Sequence, residues 1–88
     1  MQVEHQNALF LRAEEKSFKN PQGDTIEYMH AYILGDDDEY IKATVLKDIQ
    51  QDVLELAPRS EFSCVVSITE RERSDGSTYL SKKITDIS

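Results

Sequence analysis

Two alternating runs separated by a short acidic break constrain this chain more than any other feature. From Thr25 to Leu34, and again from Tyr40 to Val45, apolar and polar residues exchange at every second position. That is the period of a strand with one face buried. Read as two strands, the runs place Tyr28, His30, Tyr32, Tyr40, Lys42 and Thr44 on one face. Met29, Ala31, Ile33, Ile41, Ala43 and Val45 fall on the other. Gly35 followed by Asp36 fits a tight connection between them. The prediction is a sheet with an apolar back and a front of rings and polar heads.

The segments around this pair carry their own periods. Roughly Val3 to Glu14 reads as a strand, with Leu9, Leu11 and Ala13 assigned inward and Phe10 and Arg12 outward. A basic, aromatic turn is expected from Lys16 to Asp24, because Asn20, Pro21 and Gly23 are turn residues by mechanism. Leu46, Ile49, Val53 and Leu56 form one stripe of a short helix of about three turns at most. Asp48 or Thr44 is the expected cap and Pro58 the stop. Alternation returns with Phe62, Cys64, Val66 and Ile68 inward, followed by a polar hairpin tip containing Asp75 and Gly76. The last strand runs from Thr78 to about Ile87, with a bulge or bend expected near Lys83 because Ile84 and Ile87 differ in parity.

The order is therefore three strands, a helix and two strands within 88 residues, one domain with a single core. Closing five antiparallel strands into a small barrel removes the exposed edges, and this order of elements is that of the OB-fold, an all-β five-stranded Greek-key barrel with a short helix between strands 3 and 4. No apolar run approaches the roughly 20 residues of a membrane helix. Met1 to His5 has neither the basic start nor the apolar core of a signal peptide, and the single cysteine, Cys64, has no internal partner. A cytoplasmic, reducing compartment is the expectation.

At the level of layout the chain resembles OB-fold single-stranded-DNA-binding proteins, most of all the small ones of phages and mobile elements. At residue level the resemblance is carried by KSFKNPQGDTIEYMHAYIL and by ITERERSDGSTYLSKKITDI. It implies bases stacked on Tyr28, Tyr32 and Tyr40, with Lys16, Phe18 and Lys19 from the first loop and Arg71, Arg73 and Tyr79 from the second gripping the strand. The chain has no tryptophan, which larger members use for stacking, and it ends inside its last strand, where many bacterial members carry an acidic tail. A role in protecting transient single strands during replication or transfer, and a homodimer, are also implied.

Each feature has a plainer reading. Tyrosine is common in ordinary strands, and loop lysines and arginines pair with neighbouring acids such as Glu14, Glu15, Glu70 and Glu72. The net charge of −7 opposes phosphate binding unless the bases gather on one surface. Residues 1–44 carry nine acids and four bases, residues 45–88 eight acids and six bases. That charge favours a rival, an acidic protein-interaction module acting as adaptor or DNA mimic; single-stranded RNA binding by the same face is a third reading. Asp36 to Glu39 lacks the spacing of a calcium loop and reads as a solvated acidic turn. No catalytic residue, metal site or cofactor is expected: Cys64 falls on the inward set, His30 has no evident nucleophile beside it, and no glycine-rich phosphate loop is present.

Overall fold

The alternation at the centre of the chain becomes two strands with the expected bounds. A computed structural model describes residues 1–88, and in it β2 is Thr25–Leu34 and β3 is Tyr40–Val45. They pair antiparallel in a register that sets Leu34 against Tyr40, Tyr32 against Lys42 and His30 against Thr44. Met29, Ala31, Ile33, Ile41, Ala43 and Val45 are all buried in one core. The connection turns on Gly35 to Glu39, with the Gly35 and Asp38 N–H groups donating to the Glu39 and Gly35 carbonyls. Gly35 is required by closeness: a Cβ there would lie 2.7 Å from the His5 ring.

β1, Gln2–Lys19, is longer than its period suggests and is bent twice. An extra residue enters between His5 and Ala8 on the β4 side, and Leu11 is extra between Phe10 and Arg12 on the β2 side. Each bulge flips the parity of the residues after it. The inward set is therefore His5, Ala8, Phe10 and then Ala13, which corrects the assignment of Leu9 and Leu11 to the core and of Phe10 to the front. Phe10 meets Phe62 edge to face at 6.3 Å between centroids. His5 is buried too, and the terminus is held: the Met1 amino group donates to Ile68 O, and Ile68 N–H donates to Met1 O.

After β3 the chain makes a 3₁₀ turn, Lys47–Ile49, and a short helix, α1, Gln50–Leu54. No side chain caps either, and the helix ends before Leu56 and well before Pro58, so it is shorter than expected. Val53 enters the core with Ile49 and Leu56 against it, closing one end of the barrel. Arg59, at φ 66°, donates its N–H to Phe10 O, and Phe10 N–H donates to Ser60 O. These bonds pin the segment after α1 to the bend in β1.

β4 (Glu61–Glu72) and β5 (Thr78–Ile87) complete the sheet. Phe62, Cys64 and Val66 are buried and Ile68 is half-buried, as their alternation predicts. Val66 pairs with Ile84 and Val65 with Asp86, so the extra residue of β5 is Thr85, two positions from the expected Lys83. Gly76 takes φ 88° in the tip, where the Asp75 carboxylate accepts from the Ser77 N–H and hydroxyl. A short parallel contact, Thr44 with Lys83 and Val45 with Ile84, closes the barrel in the order β1-β2-β3-β5-β4, the topology of the OB-fold. No helix is long and apolar enough to cross a membrane.

Candidate nucleic-acid interface

The front of β1, β2 and β3 is built by register. The turn from Asn20 to Asp24 is tied by Asn20, whose Oδ1 accepts from the Gln22 and Asp24 N–H groups, and Gly23 takes φ 86°. From that turn the pairing runs back without interruption: Phe18 faces Ile26, Lys16 faces Tyr28, Glu14 faces His30 and Arg12 faces Tyr32. Lys16, Phe18 and Lys19 thus lie on β1 itself rather than in a loop, a correction to the expected turn. The β1–β2 hairpin extends as a two-stranded finger because its strands stay paired out to Lys19 and Thr25.

The rings on this face touch. Phe18 and Tyr28 meet at 5.9 Å and 65°, and Tyr28 and His30 at 5.1 Å and 68°; Tyr32 and Tyr40 lie 6.1 Å apart. Tyr40 is 57% exposed and Phe18 52%, whereas Tyr32 is only 8% exposed. Tyr32 is covered by cations: the Arg12 guanidinium lies 4.0 Å from its ring centroid and Lys42 Nζ 5.9 Å. His30 is half-buried with Nδ1 unpartnered, and burial, then Lys42 and Lys16, hold its pKa below the ordinary value, so the ring is neutral at pH 7.

One carboxylate sits among these bases. Glu14 hydrogen-bonds the Arg12 guanidinium and lies 3.2 Å from Lys16 Nζ. Arg12 first and Lys16 second hold its carboxyl down to about 2. At the α1 end of the face two shallow hollows flank Tyr28. Glu15, Lys16, Glu27 and Gln50 help line one; Glu27, Thr44, Lys47 and Lys83 help line the other. A separate hollow between β1, β4 and β5 is lined by Glu4, Asn7, Ser63, Asp86 and the chain end, with no lysine or arginine to neutralise a phosphate.

The β4–β5 hairpin leaves the barrel at the other end of β1. β4 runs past Met1, while the β1–β2 finger runs past the opposite end of the same strand. Arg71 sits on β4 opposite Tyr79 on β5, and the Arg73 guanidinium in the tip lies over the Tyr79 ring, 4.6 Å from its centroid. No ring contact, ion pair or side-chain hydrogen bond joins this hairpin to the finger. The two hairpins thus extend from opposite ends of β1 in the pairing, without a contact of these kinds between them. Alternation from the Thr44–Lys83 pair puts Lys83, Ser81 and Tyr79 on one side of β5, continuous with that face. Lys82 turns away and pairs with Glu39 at 3.5 Å.

Arg12 and Lys47 join the face although their position in the chain did not mark them, and of Lys82 and Lys83, which alternation sets on opposite faces, Lys83 is the one that shares it. A hairpin centred on Gln22 sets Arg12 opposite Tyr32 by simple counting, which is the signal that could have found the first. Cys64 is buried, and burial pushes its thiol up to about 11, so it stays protonated. No three His, Cys, Asp or Glu side chains come together in a metal-holding group. No protein-family model, curated protein or solved structure matches this chain.

Proposed function

We propose that the chain binds single-stranded DNA with little sequence preference, by stacking bases on the front of β1–β2–β3 and contacting phosphates from that face and its two flanking hairpins. The observation that carries this reading is the adjacency of Phe18, Tyr28, His30, Tyr32 and Tyr40 with Arg12, Lys16 and Lys42 among them. Alternating π-faces and cations match what a flexible strand presents, bases and phosphates in alternation. Rings accept any base, so the expected preference is weak. Shielding of transient single strands during replication or transfer is the corresponding role, by resemblance to the small phage and mobile-element proteins. Unpaired strand edges run along the two hairpins and along Tyr40–Ala43 of β3, which meets β5 only at Thr44 and Val45, and a homodimer built by strand pairing would use one of these edges.

The net charge of −7 favours a second reading, an acidic module that binds a protein surface. The two separate on one titration. Fluorescence anisotropy of a labelled oligo-dT rises with protein at low salt under the first reading and falls back as salt increases. Absence of binding at micromolar protein favours the second. A matching oligo-rU titration measures any preference between DNA and RNA.

A further inference from the structure

We propose that Arg12, not Tyr32, is the stacking platform at the centre of the face, with the Tyr32 ring as its support and Glu14 as the group that holds the guanidinium in place; this rests on the single-strand reading above. Tyr32 is 8% exposed, too little to receive a base, and it is covered by the Arg12 guanidinium at 4.0 Å. A guanidinium is planar and weakly hydrated, and it stacks on π-faces. The guanidinium carbon lies over the Tyr32 ring, and the Arg12 side chain is 57% exposed, which leaves the guanidinium open to a base from the solvent side. Glu14, one alternation further along β1, bonds the same guanidinium and limits its swing. Lys42, opposite Tyr32 on β3, places a second cation over the ring at longer range, 5.9 Å from its centroid.

The geometry also separates two roles that charge alone would confuse. If Arg12 served only to neutralise a phosphate, lysine would replace it, because both carry one positive charge. As a platform it has no such substitute.

The test compares Arg12→Lys with the unmodified protein on oligo-dT and on an abasic strand of equal length, across a salt series. The proposal predicts that Arg12→Lys weakens oligo-dT binding by about tenfold, within the range of one stacked base. It predicts an unchanged salt slope, because the charge is kept, and no penalty on the abasic strand, which has no base to stack. Thermal unfolding of Arg12→Lys at the unmodified midpoint confirms that the fold is intact. Equal affinity of both proteins for oligo-dT, or an equal loss on both strands, overturns the role of Arg12 alone. Failure of the unmodified protein to bind oligo-dT overturns the single-strand reading and this role with it.

Discussion

Asp36, in the acidic turn between β2 and β3, closes on Asn7 of β1: its carboxylate accepts the Asn7 N–H at 2.9 Å and the Gln6 N–H at 3.1 Å. Gln6 and Asn7 lie where β1 bulges away from β4, so neither has a ladder partner there. His5 Nδ1 in turn accepts the Asp36 N–H. A residue that reads in sequence as part of a solvated acidic loop is therefore a brace for the bend that lets one strand serve two sides of the barrel.

Asp36→Ala should lower the thermal midpoint, because it strands two backbone donors. The effect has a pH signature. Asn7 and then Gln6 hold the Asp36 carboxyl below its ordinary 3.8, so its stabilisation is fully present above that value and is lost as pH falls through the lower folded-state pKa. The gap in midpoint between variant and wild type is expected to be full at pH 7 and to narrow in acid. A gap that does not depend on pH would contradict the bracing role.

The corrected parity of β1 makes a second prediction. Phe10→Ala should cost about 3–5 kcal/mol in urea unfolding, the range for deleting a buried aromatic ring. Leu9, next to it and only half-buried, should cost clearly less when cut to alanine. Reversal of that order would mean that the bulge at Leu11 is misplaced.

Exposed rings allow binding to be tested apart from folding. Tyr40 and Phe18 project from the face, so alanine at either leaves the unfolding midpoint near that of the wild type. If each stacks a base, each variant loses about 1–3 kcal/mol of affinity for oligo-dT. Affinity unchanged in both would move the site off this face.

The β4–β5 hairpin is the outlying part of the interface. Arg71→Gln with Arg73→Gln should lower the slope of log K against log salt by about 0.7 for each phosphate no longer neutralised. Because the hairpin pairs with the opposite end of β1 from the finger, an oligonucleotide too short to reach both should show a smaller change than a long one. A slope unaltered on strands of every length would assign these arginines to Tyr79 and solvent alone.

The fold was legible because its strands declare themselves by period. β2 and β3 have the bounds and faces that alternation predicts, and closure into a five-stranded barrel agrees with the order of elements. β1 was not legible to the same degree. Two bulges reset its parity, and a bulge is stabilised by distant partners, here the Asp36 carboxylate and the Ser63 hydroxyl that donates to Gln6 O. The helix fell short for a related reason: its apolar stripe is set by packing under the barrel, and no cap extends it. Rings and cations of the face could be counted in the chain. That Arg12 lies on Tyr32 is a cross-strand relation that only the register supplies.

Anisotropy of a labelled oligo-dT titrated with the unmodified protein at low and moderate salt decides whether the face binds a single strand. The ring-and-cation face predicts saturable binding that weakens as salt rises, with a slope shallow enough to leave a salt-resistant remainder from stacking. No binding at micromolar protein in low salt would contradict it.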